Sequence, residues 1–242
     1  MSESVNRLLE KYYGNSPHPY RIFEDEVGFA LRPDSTLLDA GCGRTVPVLR
    51  KFVGRAARLV GVELVDFTDV PKGIETYQTD LASIPVADAS VDVIMSRSVF
   101  EHLDDPAAVY AEFARILKPG GRLIFLTANM WDYGTLVARV VPNRFHPAIV
   151  ARVEGREEAD TFPVRYRTNT RRAVAELSAN AGLEIEKFQY LGQYPNYLMF
   201  NAALFLLGTA YDKLVSRFEI LRFLRGWILV TLRKPTGQPT QA

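Results

Sequence analysis

The sequence predicts an α/β protein built on a doubly wound, mostly parallel sheet. Three observations carry that reading. Apolar strands alternate with helical stretches from residue 36 to residue 127. One of them, Val91–Met95, is nearly all apolar, the mark of a strand covered on both faces. The first strand runs straight into a glycine turn, Gly41-Cys42-Gly43, and a helical stretch leaves it.

Each element has a local reason. Residues 2–13 place Val5, Leu8, Leu9 and Tyr12 at helical spacing, and Gly14-Asn15-Ser16-Pro17 ends that helix. Tyr20–Leu31 is a second helix, with Ile22, Phe23, Val27 and Ala30 on one side. Pro33-Asp34 breaks the chain before the strand Thr36–Ala40. After the glycines comes a helical stretch, Val46–Val53, then strands at Arg58–Glu63, Ile74–Thr79 and Val91–Met95. Pro106–Leu117 is a helix, with Val109, Phe113, Ile116 and Leu117 facing inward. Lys118-Pro119-Gly120-Gly121 stops it before the strand Leu123–Thr127.

The rhythm changes after residue 128. Residues 129–167 show no clear strand and are dense in Arg, aromatics and Pro. A helix over Asn169–Ala181 has Thr168 or Thr170 as its N-cap and Gly182 beyond its end. Leu183–Leu191 is a strand, Tyr197–Phe218 a very apolar helix and Trp227–Leu232 a last strand.

Composition removes several classes. With 48% hydrophobic residues and a net charge of +1, the chain is not a disordered one. A single cysteine, Cys42, rules out a disulfide framework and a cysteine-built zinc cluster. No carboxylate cluster suggests a metal, so none is expected. The net charge conceals an asymmetry: residues 1–128 carry a balance of −4 and residues 129–242 one of +5. Neither half is basic enough to call for nucleic acid. The polar, acidic start Met1-Ser2-Glu3-Ser4 is not a secretory signal, which makes a cytoplasmic location the expectation. The apolar part of the 188–211 stretch, Tyr197–Ala210, is shorter than the ~20 residues a spanning helix needs.

The chemistry gathers around Leu37-Leu38-Asp39-Ala40-Gly41-Cys42-Gly43. Without side chains at 41 and 43 a ligand can lie against the backbone. Glu63 follows Gly43 by twenty residues and ends the second strand, where a carboxylate can accept from both ribose hydroxyls of an adenosine. A dinucleotide fits poorly, because Val46 stands at the third glycine position and Asp39 would oppose a pyrophosphate. An acid at that place suits a ligand with a positive centre. S-adenosylmethionine has an ammonium and a sulfonium.

Residues 36–127 resemble the core of the class I, Rossmann-like S-adenosylmethionine-dependent methyltransferases, of the type 11 or 25 domain. The matching pieces are Leu38–Gly43, Val62-Glu63, Thr79-Asp80-Leu81 with Ile84-Pro85, Ser90–Ile94 running into Ser96–Leu103, and Leu117–Gly121. Thr45 departs from the pattern, standing where many members have a third glycine. The resemblance implies seven strands in the order 3-2-1-4-5-7-6, the last one antiparallel. It also implies roles. The backbone of Gly41, Cys42 and Gly43 supports the cofactor, and Asp39 sits near the methionine ammonium. Glu63 holds the ribose. Asp80 accepts from the adenine amino group, with Leu64 and Leu81 on the ring faces. Ser96 and Arg97 pass near the methionine moiety.

A general base is needed only where the acceptor holds its proton near neutral pH, as a hydroxyl does. The candidates are His102 after the fourth strand, His146 in the insertion and Tyr133 after the fifth strand. His18, Tyr12, Tyr13 and Tyr20 lie in the N-terminal segment, which in many such enzymes forms a lid.

The expected organisation is one domain over residues 1–242. Residues 1–33 form lid helices, 34–128 the cofactor core and 129–168 an insertion after strand 5. Residues 169–234 complete the sheet and include a helical insertion, 193–225. Both insertions are expected to form a substrate-side cap. The first holds Arg139, Arg144, Arg152, Arg156, Arg165 and Arg167, either as anion forks or as a solvated surface. The second has an apolar helix with Leu198, Met199, Phe200, Leu204, Phe205, Leu206 and Leu207 on every side, either buried, as a cover or homodimer interface, or in peripheral contact with a membrane through 197–225.

The function expected is methyl transfer to an oxygen, or a nitrogen, of a small, fairly apolar or lipid- or glycolipid-like acceptor. The alternatives are a polar sugar or metabolite as acceptor, or a protein that binds the cofactor without turnover. The runs Thr161–Thr170 and Leu224–Leu229 are similar to a bacterial branch of these enzymes.

Overall fold

The computed structural model describes residues 3–135 and 162–237. Seven strands form one sheet: β1 Thr36–Ala40, β2 Arg58–Glu63, β3 Ile74–Gln78, β4 Val91–Arg97, β5 Leu117–Ala128, β6 Glu184–Leu191 and β7 Trp227–Arg233. Their order is β3-β2-β1-β4-β5-β7-β6. β7 runs antiparallel to both neighbours, and the pairs from β3 to β5 are parallel. The expected order and the single reversed strand are both observed.

Successive residues of β1 face opposite layers, as the two-residue period of a strand requires. Leu38 joins Val60, Ile94, Phe100 and Phe125 in a core on one face of the sheet. Helix α3, Pro106–Ile116, covers it with Val109, Tyr110, Phe113 and Ile116. Leu37 joins Leu59, Val93, Met95 and Ile124 on the other face. Helix α2, Pro19–Ala30, covers that side with Phe23 and Val27. All five residues of β1 are buried, which explains a strand with no polar alternation.

The helices begin where their caps put them. Asp105 accepts from the Ala108 N–H at 3.1 Å ahead of Pro106 in α3. Thr170 accepts from the Ala173 N–H at 3.1 Å and starts helix α4, Arg171–Asn180. At the N-terminus, helix α1, Glu3–Tyr13, buries Val5 and Tyr13 against Phe205 of helix α5, Ala202–Arg217.

Three expectations about elements need correction. The helical stretch over Val46–Val53 is only a single 3-10 turn, Leu49–Phe52. Val46 takes a φ of +45°, a left-handed conformation that a β-branched residue enters at a cost, and Pro47 follows it. The Lys118–Gly121 segment does not separate α3 from β5; it already belongs to β5. Tyr197–Phe218 is not one helix. A short 3-10 turn, Asn196–Leu198, precedes α5, and the Asn201 side chain caps α5 by accepting from the N–H groups of Ala203 (2.9 Å) and Leu204 (3.1 Å). Nor is α5 simply buried or simply free: Phe205, Gly208, Thr209 and Val215 face the protein, while Leu204, Leu206, Leu207 and Leu214 face out.

The ring of Phe100 stacks on Phe125 at 3.9 Å between centroids and is fully buried. Phe100→Ala is expected to lower the unfolding free energy by about 3–5 kcal/mol in urea denaturation, the cost of an aromatic-sized cavity. A loss under about 1 kcal/mol would show that this layer is not tightly packed.

Candidate functional site

The site lies at the carboxyl ends of β1, β2 and β4, where a parallel sheet opens. Gly41 and Gly43 leave β1 with φ of +77° and +74°, the left-handed region where glycine carries no penalty. At Gly41 the demand is also spatial: a Cβ there would sit 2.3 Å from Val99 Cγ2. The N–H groups of Gly41 and Cys42 both donate to the Val62 carbonyl, at 2.9 and 3.1 Å. Gly43 N–H donates to one oxygen of Glu63 and Leu64 N–H to the other, each at 2.8 Å. The carboxylate thus hangs across the turn, gripped by backbone on both sides.

Asp39 is only 3% exposed, and its Oδ2 has no hydrogen-bond partner. Burial raises its pKa to about 7; the Arg97 guanidinium opposes the rise and the Glu63 carboxylate adds to it. A buried carboxylate oxygen without a partner needs an explanation. A cationic ligand group beside it supplies one, so the residues present fit a ligand with a positive centre.

Ser96 is fully buried and donates to the Ala40 carbonyl at 2.7 Å, which pins the end of β4 to the end of β1. Arg97 stacks over the Tyr20 ring at 4.2 Å and meets Glu24 at 3.4 Å. Glu24 also takes Lys51 at 2.6 Å, so α2 is latched to the rim of the site from two directions. The Tyr20 ring meets Trp227 of β7 edge-on at 5.5 Å. Ser98, just past β4, holds a φ of +58°, and its buried Oγ has no partner.

On the opposite side, Leu81 is buried and Leu64 is half-exposed. Asp80 shapes the turn between β3 and Leu81, accepting from Ala82 N–H at 2.7 Å through its side chain and from Ser83 N–H at 3.1 Å through its carbonyl. The Cys42 side chain turns away from the turn's open face, toward Gly61, where a Cβ would approach its Sγ to 2.9 Å. Burial, with Asp39 and Glu63 nearby, raises the thiol pKa and keeps it protonated, so Cys42 offers its backbone only.

The structure brings Asp39, Gly41, Cys42, Gly43, Glu63, Ser96 and Arg97 together. His102 follows β4 in a short 3-10 turn, with Nδ1 at 3.2 Å from the Pro163 carbonyl. That oxygen can only accept, so it assigns the hydrogen to Nδ1 and leaves Nε2 with its lone pair in the neutral ring. His18 has the opposite arrangement. Its Nδ1 accepts from Tyr20 N–H at 3.1 Å, so Nε2 carries the hydrogen, and burial together with Arg97 lowers its pKa. Tyr133 packs edge-on against Tyr211 at 5.2 Å, and burial and the Asp132 carboxylate raise its pKa. His146 lies outside the described residues, as do Arg139, Arg144, Arg152 and Arg156. Of the insertion's other arginines, Arg165 pairs with Asp104 at 2.6 Å and Arg167 donates to the Asp104 carbonyl.

Sequence reasoning missed two features. Glu24 carries no local signal, because its partner Arg97 is 73 positions away. Glu101 is buried and accepts from Thr127 Oγ1 at 2.7 Å, and Asn169 donates to that same hydroxyl at 2.8 Å.

Residues 38–125 match the family model described as a methyltransferase domain. The 27-O-demethylrifamycin SV methyltransferase of Amycolatopsis mediterranei is 26% identical over 97% of this chain and 85% of its own length. A 37.1 kDa transposon protein of Streptomyces fradiae is 33% identical over 43% of this chain. The chain spans only 33% of that relative's length. Among solved structures, the [4+2]-cyclase SpnF superposes with a TM-score of 0.57 at 18% identity, covering 97% of this chain and 93% of that one.

The raised pKa of Asp39 has a consequence for stability. Between about pH 4 and about pH 7 the folded protein keeps a proton that the unfolded chain has released. Stability without ligand therefore falls as pH rises through that window. Asp39→Asn is expected to flatten this slope and to raise the melting temperature at pH 8. Thermal unfolding from pH 4 to 8 checks it; an unchanged slope would remove Asp39 as the source.

Proposed function

We propose that this chain is a class I S-adenosylmethionine-dependent methyltransferase, and that it methylates an oxygen, or a nitrogen, of a small, fairly apolar or lipid-like acceptor. The observation that carries the donor side is the buried, unpartnered Asp39 carboxylate beside the glycine turn. S-adenosylmethionine supplies a methyl group on a positively charged sulfur. Asp39 answers the ammonium of its methionine part, and Glu63 accepts from the ribose hydroxyls. Asp80 accepts from the adenine amino group, with Leu64 and Leu81 against the ring. Ser96 and Arg97 line the methionine end.

Methyl transfer is an in-line displacement, so the protein's work is alignment and exclusion of water. Tyr20, Glu24 and Trp227 close the side of the site that α2 faces. A hydroxyl acceptor has a proton to lose, and His102 is the base we assign, because its Nε2 holds the free lone pair. Tyr133 stays protonated at neutral pH and serves as a hydrogen-bond donor that positions the acceptor. His146 is the remaining candidate for the base.

The apolar acceptor rests on the exposed leucines of α5 in the substrate-side insertion, and on the likeness to an enzyme named for a demethylrifamycin. Two partner readings attach to this function: contact of residues 197–225 with a membrane surface, and self-association. The outward face of α5 is the observation common to both.

Glu63→Ala is expected to weaken S-adenosylmethionine binding at least about 100-fold in calorimetry, the equivalent of two charge-assisted hydrogen bonds. Unweakened binding would overturn the ribose assignment. The acceptor is tested by incubating the protein with methyl-labelled cofactor and a membrane-lipid and metabolite extract. Label in an apolar or lipid product is the expected outcome. Label only in polar sugars, or in nothing despite tight cofactor binding, would overturn the acceptor assignment.

A further inference from the structure

Helix α5 buries one side and leaves the other apolar. Its inner side sets Phe205 against Val5 and Tyr13 of α1, and Gly208 lets it approach Pro195 so closely that a Cβ would come within 2.6 Å. On the outer side Leu207 is 67% exposed and Leu214 52%, with Leu204 and Leu206 beside them. Phe200 before the helix is 71% exposed, and Ile220 after it 82%. A helix facing water carries charge there. Here residues 201–211 contain none.

The charges that border this face are mostly cations. Arg217 and Arg222 are exposed. Of the two acids in the segment, Asp212 accepts from Tyr13 O–H at 3.1 Å and Glu219 is held by Arg225 at 2.6 Å. Next to the face, Arg171 and Arg222 flank a cleft of about 530 Å³ that also includes Tyr190, Ile220, Phe223 and the tied Glu219. Apolar residues ringed by guanidinium groups match the boundary between acyl chains and anionic headgroups.

We propose that the outer face of α5 and the turn after it, from Phe200 to Phe223, seat this protein on an anionic membrane surface. The helix lies in the plane of that surface. Its 16 residues span about 24 Å, short of the hydrocarbon core, and no described helix is long and apolar enough to cross a membrane. A second copy fits the face less well, because a two-fold contact sets like cations near each other. Since α5 packs on α1, the lipid would lie beside the N-terminal helix α1. The proposal stands apart from methyl transfer, and its test needs neither cofactor nor acceptor.

The test is co-sedimentation of the full chain with vesicles of phosphatidylcholine alone and of phosphatidylcholine mixed with phosphatidylglycerol. Binding to the mixed vesicles, weakened by added salt, is the expected result. Leu207→Asp and Leu214→Asp each lower partitioning at least about tenfold, with circular dichroism and melting temperature unchanged because both side chains are exposed. The double variant Arg217→Gln/Arg222→Gln weakens binding to the anionic vesicles alone. No vesicle binding, or binding indifferent to these changes, overturns the proposal. So does a dimer in sedimentation velocity that Leu207→Asp dissociates while vesicles bind nothing; the occupant is then a second copy.

Discussion

The Glu63 carboxylate is the tie on which the site depends. β1 ends in two left-handed glycines, and such a turn has many accessible conformations in isolation. Gly43 N–H and Leu64 N–H bond the two oxygens of one carboxylate, so the turn after β1 and the exit from β2 share a single rigid point. Val62 reinforces it by accepting two N–H groups of the same turn. The Gly41 backbone can then lie against Val99, which brings the end of β4 into the same small space. Three strands meet there because one acid and one carbonyl satisfy the donors that the turn leaves over.

A second set of buried polar groups fastens the segments that follow β4 and β5 to the sheet. Glu101, Thr127 and Asn169 form a chain of hydrogen bonds past the ends of β4 and β5, and Thr168 extends it to the Phe100 carbonyl at 2.8 Å. Asn129 donates to the carbonyls of Phe223 and Arg225, both at 2.7 Å, and so joins the end of β5 to the segment before β7. Buried groups of this kind leave few alternative arrangements once all are bonded. The segments around Asn129, Thr168 and Arg225 are therefore held in register with the core.

What could be read from the sequence is what depends on neighbours along the chain. The glycine turn, Glu63 and the strand pattern follow from local spacing and from the burial of whole strands. Val46 shows where that reading stops: its apolar surroundings suit a helix, yet its φ of +45° is set by the turn before it. The ties that hold α1 and α2 were illegible for another reason. Glu24 with Arg97, Tyr20 with Trp227 and Tyr13 with Asp212 join residues that only the fold brings together, the last pair 199 positions apart. Helix α5 was ambiguous because a helix apolar all round gives no phase by which to tell its inner side from its outer one.

The latch also explains the state of Asp39. A guanidinium close by would ordinarily hold a buried carboxyl well below pH 7. Arg97 does act in that direction, but its planar group is spent on the Tyr20 ring and Glu24, and burial prevails. The arrangement separates two tasks that one ion pair would have merged. Arg97 fixes α2 at the rim, and Asp39 keeps an acceptor oxygen that no protein group fills. A direct Arg97–Asp39 bridge would stabilise the fold and weaken the site, since an incoming ammonium would then compete with a resident one.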